Sequence, residues 1–352
     1  MKPPLAEGKL PMELLERLLR HASHSPLLTV GAEPGEDAAV APGASMLVIT
    51  ADPITFADER IGAYAVAVNA NDIVAMGGTP RYLTTTILLA PGATEDDLEG
   101  IFADIAEACG KAGLLWVGGH TEVTPVVHRT VVCGQAVGFL SGPPLRTAGA
   151  RPGDRLCMSK WVGLEGTTTI ARRMPRESEE ALGPGVYEAV LGWLDRPGIS
   201  IVEEGRALEG LALTSGHDPT EGGVAKGIEE ICRQSGVGAV IAGDSLPVRE
   251  ETRLLCSRFG MDPLGLLSSG VFLFTAPPPV ADRACRLLEA RGIAAAVIGE
   301  ILGKGEGVWL ERQGIREPLV SSEQDEIVKL AGSRAFRPLR ADRSSSPRSS
   351  TR

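Results

Sequence analysis

The chain has 352 residues, more than one hydrophobic core usually sustains, so two domains are expected. A net charge of −10 argues against nucleic acid as a partner, and no apolar run reaches the ~18 residues of a membrane span. Six scattered cysteines with no CxxC pair suggest neither a zinc site nor a disulfide framework, and the opening MKPPLAEGKL lacks the apolar segment of a secretion signal, which points to the cytoplasm.

In chain order, Met12, Leu14, Leu15, Leu18 and Leu19 line one face of a short helix over 11–20. A Gly/Pro/acidic loop, GAEPGEDAAV, precedes the β-branched strand MLVIT at 46–50, which ends at Ala51 and Asp52. A helix from Ile61 to Met76 carries NANDIVAMGG, and a strand follows over 83–89. Thr94 is placed to cap the next helix, with Asp97 at its third position and Leu98, Ile101, Phe102, Ile105 and Cys109 at three-and-four spacing.

That helix feeds the strand LLWVGG, and a long strand over 130–140 ends in SGPP. The pattern restarts after 148, with strands RLCMS, GAVI, SGVFLFT and AAVIGE and helices near 200–212, 220–236 and 278–291. The expected organisation is an N-terminal domain over 1–148, a C-terminal α/β domain over 149–331 and a disordered basic tail over 332–352, with six arginines against one aspartate.

Three constellations carry chemistry. Glu36, Asp37, Asp52 and Asp72 are carboxylates beside turns, the hard oxygen ligands Mg²⁺ takes, although Asp also caps loops for its own sake. GGHTEV at 118–123 joins two glycines to His120, Thr121 and Glu122; its glycines suit close approach of an anion or a plain tight turn. HDPTEGG at 217–223 opens a helix that Asp218 or Thr220 would cap, with Gly222 and Gly223 suited to a phosphate or to helix packing. Walker-type, nucleophile-elbow and kinase motifs do not occur in the sequence.

Taken in order, GEDAAV (35–40), ITAD (49–52), NANDIVAMGGTP (69–80), GGHTEV, PGDRLCMSKWVGLEGT (152–167) and HDPTEGG resemble the aminoimidazole-ribonucleotide-synthetase superfamily. DPLGLLSSG (262–270) and AAVIGEI (295–301) are most similar to its HypE branch. The resemblance implies a two-domain α/β homodimer whose N-terminal domains pair into a β-barrel, and an enzyme using ATP and Mg²⁺ to activate an acceptor oxygen on a small molecule or carboxamide.

On that resemblance Asp37, Asp52 and Asp72 match the Mg²⁺ positions, and Asn71, Gly118, Gly119, Thr121, Glu122, Gly222 and Gly223 are expected at the nucleotide. Lys160 and Asp218 are expected near the transferred phosphate or acceptor. HypE-type proteins end in Pro-Arg-x-Cys, whose thiol accepts a carbamoyl group; this sequence ends in PRSSTR, so a different acceptor or reaction is expected. The alternatives are a phosphotransferase similar to thiamine-monophosphate kinase and a non-catalytic nucleotide-binding regulator. Selenophosphate synthetase shares GGHT but needs an early Cys or selenocysteine, whereas the first cysteine here is Cys109.

Overall fold

The computed structural model describes residues 5, 8–9, 12–21, 46–55, 59–321 and 325–332. Glu36, Asp37 and the Arg/Ser stretch after Gly332 lie outside the described residues.

Two α/β halves are each built on one sheet. In the first, β1 (Gly8–Lys9), β2 (Leu47–Ile54), β3 (Thr79–Leu89), β4 (Leu115–Val123) and β5 (Val131–Phe139) take the order β1-β4-β3-β5-β2. Only the β3–β4 pair is parallel, as the intervening helix crossover requires. Helices α1 (Met12–Leu19), α2 (Ile61–Ala75) and α3 (Glu95–Ala112) complete this half. Thr94 caps α3 and forms a reciprocal capping box with Asp97.

Strand alternation gives the sheet two unlike faces. Val132 and Ala136 on β5 and Leu83, Ile87 and Leu89 on β3 are buried, whereas Leu47 and Ile49 at the β2 edge are 51% and 70% exposed. Within one chain the sheet is open; the expected barrel would need a second chain.

The second half runs β6 (Arg155–Ser159), α4 (Leu164–Arg173), α5 (Pro175–Leu182), α6 (Pro184–Leu191), α7 (Val202–Leu208), β7 (Ser215–His217), α8 (Gly223–Ser235), β8 (Gly238–Ala242), α9 (Glu250–Phe259), β9 (Leu273–Ala276), α10 (Pro278–Glu289), β10 (Ala295–Leu302), β11 (Val308–Arg312) and β12 (Ile315–Pro318). Its sheet has the order β12-β11-β8-β10-β6-β9-β7. Helices α4, α5, α6 and α9 and strands β11 and β12 were not expected from the sequence pattern.

α2 is the hub. Its alanine-rich sequence is apolar around the whole circumference, and only Ala63, Val68 and Asp72 of its fifteen residues escape burial. It packs on β2, β3, β5 and α3 of its own half and on α7 and β7 of the other, so one continuous core joins the halves. No described helix is long and apolar enough to cross a membrane.

Candidate active site

The edge strand β2 carries Thr50 and Asp52 on its inner face, two residues apart and therefore on the same side. Asn69 on α2 fixes that strand: its Oδ1 accepts from the Asp52 backbone N–H at 3.0 Å, and its Nδ2 donates to the Asp52 and Ala65 carbonyls at 3.3 and 2.8 Å. One turn further, Asp72 Oδ2 accepts from the Thr50 hydroxyl at 2.6 Å. The Asp72 carboxyl is pushed up to about 7, first by burial and then by its hydrogen bond with the Asp52 carboxyl.

Asp218, at the end of β7, joins them. Its carboxyl is raised well above the usual carboxylate range by burial and then by the charges of Asp72 and Asp52. The residue as a whole is only half-buried, but Oδ2 is fully sequestered and has no hydrogen-bond partner. Three carboxyls from positions 52, 72 and 218 thus converge, one with an orphaned oxygen.

The other expected site residues divide. Lys160 does not belong to this cluster. It adopts the left-handed φ of 54° at the end of β6, and its Nζ donates to the Ser200 and Gly270 carbonyls at 2.8 Å each while pairing with buried Glu204 at 2.7 Å. All three ammonium donors are spent. Asn71 is fully buried and faces the second half: Nδ2 donates to the Ile199 carbonyl and Oδ1 accepts from the Ile201 N–H, both at 2.8 Å. Its expected nucleotide contact gives way to a staple between halves.

Gly118 and Gly119 lie inside β4, paired with Thr84 and Thr85 of β3 across a register shift. A Cβ on Gly119 would stand 1.8 Å from the Thr85 carbonyl oxygen, so strand packing requires that glycine whether or not an anion binds. Thr121 and Glu122 follow on the same strand, half-buried. Three strand spacings, ~14 Å, separate β4 from β2, so this block and Asp52 lie at different ends of the sheet.

The HDPTEGG segment also departs from expectation. Neither Asp218 nor Thr220 caps α8; Gly222 is the N-cap, with no side-chain cap. The Gly222 N–H donates to the Asp325 carboxylate at 2.9 Å, and a Cβ on Gly223 would meet the Leu264 and Leu266 carbonyls at 2.5 and 2.6 Å. The expected phosphate cradle is therefore closed in this structure by the chain's own carboxylate.

Beside it, Glu165 of α4 is buried, with Oε2 unpartnered. Its carboxyl is pushed up to about 7 by burial, against hydrogen bonds from Ser269 and with added repulsion from Asp325 and Glu221. Asn69, Thr50, Glu165 and Asp325 were not singled out from the sequence. Asn69, Thr50 and Glu165 lie inside the quoted NANDIV, ITAD and PGDRLCMSKWVGLEGT blocks; no sequence signal marked Asp325.

Among the described residues no three His, Cys, Asp or Glu side chains form a ready-made metal set. The donors nevertheless suit Mg²⁺, which keeps several waters and uses one or two carboxylates together with phosphate oxygens. The orphaned Asp218 oxygen and the raised Asp72 and Asp218 carboxyls mark a place where a cation would relieve an existing repulsion.

An open mixed sheet joined through a buried helix to a seven-stranded α/β half, with carboxyls at the junction, defines the class. The AIR synthase related protein N-terminal domain matches residues 35–140 and its C-terminal domain matches 151–310. The chain is 33% identical over 267 residues to carbamoyl dehydratase HypE of Azotobacter vinelandii, covering 71% of this chain and 72% of that protein. It therefore belongs to the AIR synthase related family, as a HypE-like member.

A solved structure of the hydrogenase maturation protein HypE in complex with ATP superposes with a TM-score of 0.72 at 27% identity, covering 88% of this chain and 94% of the other. Thiamine-monophosphate kinase from Stenotrophomonas maltophilia shares the fold, with a TM-score of 0.70 at 23% identity over 90% of this chain and 100% of that one.

Proposed function

We propose that the chain is an ATP- and Mg²⁺-dependent enzyme that transfers the γ-phosphoryl group to an acceptor oxygen of a small molecule or carboxamide. The observation that carries this reading is the convergence of Asp52, Asp72 and Asp218 with one carboxylate oxygen left unpaired. The ATP complex of its HypE relative supports the nucleotide. Mg²⁺, when bound, supplies neutralisation of the β- and γ-phosphate oxygens.

The protein's own contribution is position. Asn69 holds the Asp52 backbone, Thr50 orients Asp72, and the junction between halves aims Asp218 at the pair. In the transfer the acceptor oxygen forms a bond to phosphorus as the bridging bond to ADP breaks. For a carboxamide, loss of phosphate and two N–H protons then leaves a nitrile group. For a phosphate acceptor, as in the kinase relative, the phosphorylated product is released.

The division near residue 148 and pairing of two chains through the open sheet face, where Leu47 and Ile49 are exposed, belong to the same reading. Calorimetric titration of the full chain with ATP, with and without Mg²⁺, tests it. ADP and phosphate release is then followed with a carboxamide panel and thiamine monophosphate. Magnesium-dependent binding lost in Asp52→Asn and Asp72→Asn is expected; unchanged nucleotide affinity in both variants refutes the assignment. Binding without acceptor-stimulated turnover would favour the non-catalytic regulator.

A further inference from the structure

Towards the N-terminal end of α2 from Asp72, a cavity of about 640 Å³ opens between the two halves. Tyr64 and Ala67 of α2, Ala112 of α3, Ile199, Trp161 and Ile293 contribute to its walls, and none of Asp52, Asp72 or Asp218 lines it. That volume is within the range of small-ligand pockets, roughly 300–1,000 Å³.

Charge and an aromatic wall both suit it to a flat anion. The buried Lys160–Glu204 pair in its lining is internally neutral. At the exposed rim, Arg196 and Arg249 have no carboxylate partner among the described residues, and Arg291 reaches only Glu203, at 4.0 Å. Asp195 and Glu203 are already engaged by Arg60 and Arg206. Two arginines thus remain uncompensated in a chain whose net charge is −10.

The second observation is independent of charge. Trp161 is 8% exposed, and its Nε1–H is buried with no acceptor. The Arg249 guanidinium lies 4.3 Å over the Trp161 ring, and Trp193 packs edge-on against it at 5.1 Å. The cavity wall beside Arg249 is therefore aromatic as well as cationic, which suits a flat anion.

We propose that this cavity is a binding site for a planar organic anion, an aromatic carboxylate or phosphate monoester, separate from the carboxyl cluster. Its acidic head meets Arg249 and Arg196 at the rim, and its flat body lies against Tyr64 and Ala67. The site stands whether or not the carboxyl cluster binds nucleotide.

Calorimetry on the full chain tests it with three probes of similar size: nicotinate, phenyl phosphate and uncharged nicotinamide, each with and without Mg²⁺-ATP. One or both anions bind with 1:1 stoichiometry, nicotinamide binds at least about tenfold more weakly, and Mg²⁺-ATP does not displace the anion. Which anion binds decides between carboxylate and phosphate. Arg249→Met and Arg196→Met, both at exposed side chains that leave no buried acid unpaired, each weaken the anion about tenfold or more, while Asp72→Asn does not.

Any of four results overturns the proposal: no anion binding at about 10 mM probe, a concentration that would reveal even millimolar affinity; equal affinity for nicotinate and nicotinamide; anion affinity unchanged in both arginine variants; or competitive displacement by Mg²⁺-ATP.

Discussion

Replacing Glu165 by Gln should stabilise the protein, increasingly as pH rises. Glu165 is buried on α4, Ser269 donates hydrogen bonds to it, and Asp325 and Glu221 repel its charge. Burial lifts its carboxyl from 4.5 to about 7. The folded state therefore holds a proton that the unfolded chain releases, and stability falls as pH rises between those values. At 1.36 kcal/mol per unit, the 2.5-unit shift (7 minus 4.5) costs the wild type on the order of 3 kcal/mol once the group is fully ionised above pH 7. Below 4.5 both states carry the proton and the cost vanishes. Gln keeps an oxygen for Ser269 and carries no charge, so it avoids the cost at every pH. Urea unfolding of both proteins at pH 5 and pH 8 reads this directly: Glu165→Gln should be more stable by about 2–3 kcal/mol at pH 8 and by under about 1 kcal/mol at pH 5. A difference that stays constant with pH, or widens towards pH 5, refutes the buried-acid account.

Asn71→Ala strips partners from the Ile199 carbonyl and the Ile201 N–H in the interior, and should cost about 2–6 kcal/mol in urea unfolding, two orphaned groups at about 1–3 kcal/mol each. Lys160→Met leaves Glu204 charged and buried and should cost about 3–5 kcal/mol, whereas adding Glu204→Leu should recover part of that loss; a strictly additive double variant would contradict a coupled pair. Asp325→Ala removes the acceptor for the Gly222 N–H at the start of α8 and should lower stability by about 1 kcal/mol, with faster amide hydrogen exchange at Gly222 and Gly223. Gly119→Ala places a methyl 1.8 Å from a backbone oxygen, so a soluble variant with wild-type melting temperature would mean that β3 and β4 do not approach as described.

The periodic elements were legible because their burial is one-sided. The α3 face of Leu98, Ile101, Phe102 and Ile105 and its Thr94–Asp97 capping box appear where the pattern puts them, whereas the RLCMS strand, buried on both faces, shows only as a short apolar run. Helix α5 was not: PRESEEAL is half charged and buries only Ser178, so no apolar stripe announces it. At the site, acidic residues beside turns pointed to Asp52 and Asp72, and the structure joins Asp218 to them. The glycines misled because a residue without Cβ serves two ends. Gly119 and Gly223 are demanded by backbones that pass within a methyl's reach, and local sequence does not say which backbone is near. Lys160 misled for a related reason: a lysine after a strand in a glycine-rich block suits a phosphate, but Glu204, Ser200 and Gly270, which consume it, lie 40 or more residues away.

The polar residues of α2 follow a rule that spacing alone contains. At 100° per residue, Asn69 and Asp72 are 300° apart, which is 60° the short way round, so they share a face. Asn71 is 200° from Asn69 and looks the other way. The contacts divide accordingly: Asn69 and Asp72 meet β2 at Asp52 and Thr50, while Asn71 meets the 199–201 loop of the second half. A helix buried on nearly every side pays heavily for each polar group, so three within four positions require partners on both sides of it. The same helix that presents Asp72 to the carboxyl cluster is thereby locked to the loop bearing Ile199 and Ser200, which lines the cavity. A change in the relative position of the halves must move Asp72 and that loop together or break the Asn71 bridge, which makes Asn71→Ala the variant that separates packing of the halves from the chemistry of the acids.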